Sequence, residues 1–362
     1  MARTSRRAGT VAIDLALQGG GSHGAFTWGV LDRLLEDESI ALDGLSGTSA
    51  GALNAAVLAT GLAKGGRTGA RHALAAFWRD VSDTGHCFGA IPPGPWTQWW
   101  QQWLQQASPY QFNPFDINPL RDLVRRHVHE EALRAGPLQL FVTATAVRTG
   151  QPRVFQAGDL SHDALLASAC LPHLFRAVEV DGEPYWDGGY TGNPALWPLI
   201  YQTVSTDILL VKINPLVRPD LPDTAVEIAD RVAEISFNAG LVGELRAISF
   251  VHRLLAEERV SSARYKALRM HMIGDEASLG VLPVASKLDT SGPFLLKLHG
   301  LGHAAATRWL AAHRADLGVR ATLDIDATFL QPRGPSGTRT VQAAATPAAP
   351  ARPARRAPRR RP

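Results

Sequence analysis

A serine between two glycines, Gly47-Thr48-Ser49-Ala50-Gly51, and a carboxylate on a double glycine, Asp187-Gly188-Gly189, are the residues of this chain best able to do chemistry together. Gly-x-Ser-x-Gly between a strand and a helix forces a sharp turn that strains the serine backbone and exposes its Oγ. Ser49 is then a nucleophile candidate, and the helix that starts behind it favours developing negative charge. A serine hydroxyl needs a base. Asp187 offers one, because its glycines allow a tight turn and Tyr185, Trp186 and Tyr190 beside it lower the access of water. Upstream of both lies Gly19-Gly20-Gly21-Ser22-His23-Gly24. The N–H groups of Gly20 and Gly21, with that of Ala50 after the nucleophile, would form an oxyanion hole, each donor contributing on the order of 10² to 10³ in rate. This chemistry calls for no metal and no cofactor.

Each motif has rival readings. Gly19, Gly21 and Gly24 also fit Gly-x-Gly-x-x-Gly, and Asp43 falls about where a dinucleotide fold places its ribose-binding acid. That reading crowds the adenosine site with Gly44 and the serine turn, and it leaves Asp187 without a part. An isolated Asp-Gly is more often an ordinary turn. His252, His271, His299 and His303 all follow Asp187, so a Ser-Asp-His order is open as well.

The elements that must position these groups are visible in the pattern. Val11 to Gln18 reads as a buried strand that stops at three glycines, followed by an apolar helical period through Ala25, Val30, Leu31, Leu34 and Leu35. Leu42 to Gly47 and Ala50 to Thr60 repeat the device. Two successive βα units predict an α/β protein whose central sheet is mostly parallel and covered on both faces. Further strands are predicted at Leu138 to Val147, Arg153 to Gln156, Ile208 to Ile213 and Leu268 to Ile273. Helices are predicted at Pro119 to His129, Asp163 to Ser168, Thr224 to Glu258 and Phe294 to Leu317. The implied organisation is an N-terminal tail (1–10), a catalytic domain (11–216), a helical C-terminal extension packed on it (217–330) and a Pro/Ala/Arg tail (331–362).

Composition bounds the class. The chain has 362 residues, 45% of them hydrophobic, so it can bury a large core. Its net charge of +4 divides unevenly: residues 331–362 hold eight arginines and no acid, which leaves the rest at −4. That tail has no aliphatic period and is expected to be disordered. Two cysteines are too few for a disulfide framework, and the first residues are too charged for a secretory leader, so a cytoplasmic location is expected. No apolar run reaches the roughly 18 residues of a membrane span, so any membrane contact is expected to be peripheral. No specific nucleic-acid partner is expected. An insertion at about 91–115 carries Trp96, Trp99, Trp100, Trp103 and Leu104 on one helical face, a stripe that suits core packing or a lid over an apolar site.

Taken together, the blocks at Gly19 to Gly24, Gly47 to Gly51 and Asp187 to Gly189 resemble the patatin-like phospholipase family. Ser168-Ala169-Cys170-Leu171-Pro172-His173-Leu174-Phe175, Gly182, Tyr185 and Asn193-Pro194 support the likeness. The resemblance covers residues 11 to 216. It implies a three-layer α/β/α sandwich and a lipid acyl hydrolase of the phospholipase A or lysophospholipase type, with Ser49 and Asp187 as a dyad and an acyl-enzyme intermediate. A carboxylesterase, a storage-polyester hydrolase and a non-catalytic lipid-binding protein are the alternatives on the same fold. One departure stands out: His23 occupies the position where the family usually has Arg or Lys, which leaves a substrate or loop role for this residue open and suggests a pH-dependent activity. The helical last third is similar to the extension of some bacterial members.

Overall fold

Alternating burial along the central strands determines the architecture, because successive strand residues face opposite sides of a sheet. On β1 (Val11–Leu17), Ile13, Leu15 and Leu17 enter one core while Ala16 enters another. On β7 (Asp207–Lys212), Leu209 and Val211 join the first core, and Ile208 and Leu210 join the second. Two apolar faces on one sheet require a helical layer on each side. The computed structural model, which describes residues 10–88, 108–136, 138–218 and 220–331, has that three-layer arrangement. The Trp stripe of the insertion, most of the N-terminal tail and the arginine-rich tail lie outside the described residues.

Hydrogen-bonded neighbours link β5 (Val178–Val180) to β6 (Glu183–Asp187), β6 to β3 (Gln139–Ala146), and β3 through β2 (Ile40–Thr48), β1 and β7 to β8 (Arg269–Gly274), while β4 (Pro152–Gln156) pairs with the other edge of β3. The β2-β1-β7-β8 and β2-β3 pairings are parallel, whereas β4, β5 and β6 join antiparallel. The last third is therefore not helical throughout, since it supplies β8 to the sheet edge. Residues up to Leu330 form one compact unit.

The first core lies under α1 (Gly24–Glu36), α2 (Ala50–Phe88) and α10 (Gly292–His313); the second lies under α7 (Trp197–Gln202) and α8 (Ala225–Ala256). Between them in sequence are the shorter helices α3 (Pro109–Phe112), α4 (Pro119–His127), α5 (Glu130–Ala135), α6 (His162–Ser168) and α9 (Glu276–Gly280). Helix α2 breaks where Gly65 and Gly66 leave helical geometry. Thr224 starts α8 with a capping box closed by Glu227, which meets two otherwise unpaired backbone donors. Among the described residues no helix is long and apolar enough to cross a membrane.

Helices α1 and α10 cross almost backbone to backbone. A Cβ on Gly29 would sit 2.0 Å from the His299 carbonyl oxygen, and one on Gly302 would sit 2.0 Å from that of Phe26. Gly300, in the same helix, faces open space. Gly302→Ala is therefore expected to lose roughly 1–3 kcal/mol by overpacking. Gly300→Ala should be neutral or gain up to about 1 kcal/mol from helix propensity. Urea unfolding of both variants checks this contrast, and equal effects would contradict the close crossing.

Candidate active site

Strand β3 brings the two halves of the site together. Thr48, the last residue of β2, pairs with Thr143, and Asp187, the last residue of β6, pairs with Ala144. Because β4 pairs with Ala144 and Thr145 along the opposite edge, β6 must run in line with β2 on the same edge of β3. The residue after Thr48 is thus delivered beside Asp187.

That residue, Ser49, has a φ of +53°, a left-handed conformation that non-glycine residues rarely adopt. Its N–H donates to Ser168 Oγ at 2.9 Å, and Ser168 Oγ donates to the Thr143 carbonyl at 2.6 Å. Ser168 therefore clamps the strained turn onto β3. Close approach explains the flanking glycines: a Cβ on Gly51 would lie 2.2 Å from the Leu17 carbonyl oxygen, and one on Gly47 would strike the backbone of Gly51 and Ala52. Asn54, one turn into α2, donates to the carbonyls of Gly24 and Ala50 and accepts from Trp78 Nε1, so it ties the start of α1 to the start of α2.

Asp187 is completely buried. Its Oδ1 accepts from Gly189 N at 2.7 Å, its N–H donates to the Cys170 carbonyl, and its own carbonyl accepts from Thr145 Oγ1. Oδ2 has no hydrogen-bond partner among the described residues. Burial pushes the carboxyl up to about 7, against the opposing pull of the neighbouring Ser49 side chain and the Gly189 N–H. The Ser49 side chain thus acts on the carboxyl, while Oδ2 accepts no hydrogen bond from the described residues. Tyr190 stacks edge-on against Phe237, and burial beside Asp187 lifts its phenol to about 12. Gly188 is required by contact, since a Cβ there would lie 2.0 Å from the Thr143 carbonyl oxygen. A Cβ on Gly189 would lie 2.7 Å from the Phe237 ring.

The glycine loop abuts the same point. A Cβ on Gly19 would fall 2.6 Å from Ser49 Cβ, and one on Gly24 would fall 2.7 Å from Ala50 Cβ. Gly19 N donates to Asn193 Oδ1 at 2.6 Å, and the Gly19 carbonyl accepts from Asn214 Nδ2 at 2.7 Å and Asn193 Nδ2 at 3.3 Å. Gln18 Oε1 accepts from the backbone of Ile213 and Asn214, which fixes the loop's origin. No acceptor among the described residues takes the N–H of Gly20, Gly21 or Ala50. His23 points away into the protein: it is fully buried, pairs with Ser286 Oγ at 2.8 Å and lies at a tilt to the Phe294 ring, 6.2 Å between centroids. Burial, with Lys287 and Arg218 nearby, holds its pKa down at about 4, so it is neutral throughout the physiological range and carries no pH switch there.

Three of the four downstream histidines have other partners, and the Nε2 of the fourth, His252, has no hydrogen-bond partner among the described residues. His271 is buried between Asp207 and Thr322, His299 pairs with Asp32, His303 with Glu36, and burial lowers the pKa of His252. Asp32, Glu36 and His303 bring ligand atoms within 4.8 Å of one another, but Arg71 already binds both carboxylates at 2.6 and 2.8 Å. Surface depressions beside Leu255 to Ala267 and beside Arg125 to His162 do not include Ser49 or Asp187.

The sequence blocks named Ser168 and Asn193 without assigning them a task, and Asn214 and Lys287 carried no motif signal at all.

A mostly parallel sheet covered on both faces defines a three-layer α/β protein, and at one end of that sheet a strained serine at a strand-helix turn, a buried carboxylate and a glycine loop come together. The family model of patatin-like phospholipases matches residues 15–200, and the chain belongs to that family, whose members are lipid acyl hydrolases. Among solved structures it is similar to VipD from Legionella pneumophila (TM-score 0.39, 14% identity, covering 84% of this chain and 67% of that one). It is also similar to the type III effector ExoU (TM-score 0.26, 15% identity), where it covers 85% of its own length and 59% of the effector's. No curated protein matches by sequence.

The raised pKa of Asp187 has a consequence for stability. A carboxyl that titrates near 3.8 when unfolded and about 7 when folded favours the folded state at low pH and withdraws that support as pH rises between the two values. Asp187→Asn removes the effect. Its stability relative to wild type should climb between about pH 4 and 7 by up to about 4 kcal/mol, at 1.36 kcal/mol per pKa unit. Chemical denaturation of both proteins across that range checks it; a difference independent of pH would contradict the assignment.

Proposed function

We propose that this chain is a serine hydrolase that cleaves acyl esters of lipids through Ser49 and Asp187. The observation that carries the reading is the register of β3, whose consecutive residues Thr143 and Ala144 pair with Thr48 and Asp187 and so set a strained serine beside a buried, half-satisfied carboxylate.

Ser49 Oγ attacks the ester carbonyl carbon while its proton passes to Asp187 Oδ2. The carbonyl oxygen becomes an oxyanion that meets the free N–H groups of Gly20, Gly21 and Ala50. The intermediate collapses, the C–O bond to the alcohol breaks, and that alcohol leaves with the proton from Asp187. Water then attacks the acyl-Ser49 ester and gives a proton to Asp187, which returns it to Ser49 as the fatty acid departs. An ordinary aspartate near 3.8 would be a weak base at neutral pH. Burial removes this difficulty, because a base with a pKa about 7 is matched to the working range.

His23, neutral and turned inward, supplies no fixed cation for a phosphate head group, so the family resemblance does not by itself choose a phospholipid over a lysophospholipid, a neutral lipid or a polyester. Contact with a lipid surface would be peripheral. An ester panel of varied acyl length and head group distinguishes these substrates and tests the reading. Ser49→Ala should lose about 10³-fold or more in turnover on every member, and wild-type kcat/KM should rise with pH through about 7 as Asp187 ionises. Turnover that survives in Ser49→Ala, or a flat profile from about pH 5 to 9, would overturn it.

A further inference from the structure

The glycine loop is fastened from its outer side by a single-turn 3-10 helix, Val284–Leu288, in the C-terminal extension. Three contacts do this. The Lys287 carbonyl oxygen lies where a Cβ on Gly21 would come within 2.3 Å, Ser286 Oγ holds His23 Nε2, and Lys287 Nζ donates to Asn214 Oδ1 at 3.0 Å.

The third contact has chemical content. An asparagine amide can turn either its oxygen or its nitrogen to a neighbour, whereas an ammonium group only donates. Lys287 therefore fixes Oδ1 toward itself, which leaves Nδ2 to donate to the Gly19 carbonyl at 2.7 Å. The peptide joining Gly19 to Gly20 is planar, and in a trans peptide the C=O and the following N–H point in opposite directions. Anchoring the Gly19 carbonyl on Asn214 thus turns the Gly20 N–H the other way, and it is one of the loop donors that no described acceptor takes. Lys287 is itself held in place: Glu234 lies 3.6 Å from its Nζ, and Glu234 is gripped by Arg218 at 2.7 and 3.1 Å and by Arg231 at 3.3 Å.

We propose that Lys287 is a positioning residue for the oxyanion hole, acting through Asn214 to aim the Gly20 N–H at the reacting carbonyl oxygen. The proposal rests on the hydrolase reading above. It gives the C-terminal extension a share in catalysis, and it places the loop's cation on a distant turn instead of at position 23.

The test uses the full chain and a short soluble p-nitrophenyl ester. Lys287→Met leaves Asn214 Oδ1 without a donor and should lower kcat about tenfold or more with KM changed by less than about twofold, because an oxyanion donor acts in the transition state. Lys287→Gln keeps an N–H donor and should stay within about threefold of wild type. Hydrogen exchange of the Gly19–His23 segment should accelerate in the Met variant and not in the Gln variant. If Lys287→Met does not fold, Asn214→Asp answers the same question: its carboxylate keeps Lys287 but cannot donate to Gly19, so kcat should fall at least as far. Wild-type kcat in Lys287→Met or Asn214→Asp, or a Gln variant as impaired as the Met variant, would overturn the proposal alone. A wild type without Ser49-dependent turnover would overturn the hydrolase reading and this proposal with it.

Discussion

The peptide between Thr143 and Ala144, near the middle of β3, is the point on which the site depends. One side of it pairs with the end of β2 and the other continues into pairing with the end of β6, so two strands far apart in sequence finish at the same place. The Thr143 carbonyl also accepts from Ser168 and leaves room behind it for nothing larger than Gly188. A register slip of one residue would turn Asp187 to the opposite face of the sheet and separate it from the serine. The surrounding hydrogen bonds oppose such a slip: Thr48 Oγ1 to the Gly192 carbonyl, Ser46 Oγ to that of Ala195 and Thr145 Oγ1 to that of Asp187.

The arrangement has costs that the rest of the fold must offset. A left-handed serine is strained by about 1–3 kcal/mol, and a buried carboxyl with one unsatisfied oxygen is destabilised further once ionised. The offset comes from the two cores flanking the sheet and from the close crossing of α1 and α10, which fixes the helix that emerges from the glycine loop. The features that weaken the fold locally are those the proposed chemistry uses: backbone donors that no described acceptor takes, a poised base and a serine held off its relaxed conformation.

The two βα units, the glycine loop, the serine turn and the Asp-Gly-Gly turn were legible in the sequence because each is a local constraint, written in glycines that cannot be exchanged and in short apolar periods. Strand β8 was legible too, although it lies in a stretch that otherwise reads as helix. The antiparallel β5 and β6 were not, since Val178–Val180 and Glu183–Asp187 are too short and too polar to show a period. The polar residues that hold the loop escaped for a different reason. Asn214 and Lys287 are single side chains with no spacing signature, Asn193 showed only as part of a family block without a task, and only the folded chain brings Asn193 and Asn214 to Gly19 and Lys287 to Asn214. His23 shows the reverse limit: its type suggested a titrating group, but its burial against Ser286 and Phe294 keeps it neutral.

The most direct measurement is a crystal structure of the protein after reaction with a small fluorophosphonate, whose phosphoryl oxygen occupies the place of the oxyanion. The account predicts phosphorus bonded to Ser49 Oγ, that oxygen about 3 Å from the N–H groups of Gly20 and Gly21, and the Asp187 carboxyl beside the adduct. Phosphonylation of another residue, or an adduct on Ser49 whose oxygen faces away from the glycine loop, would contradict it.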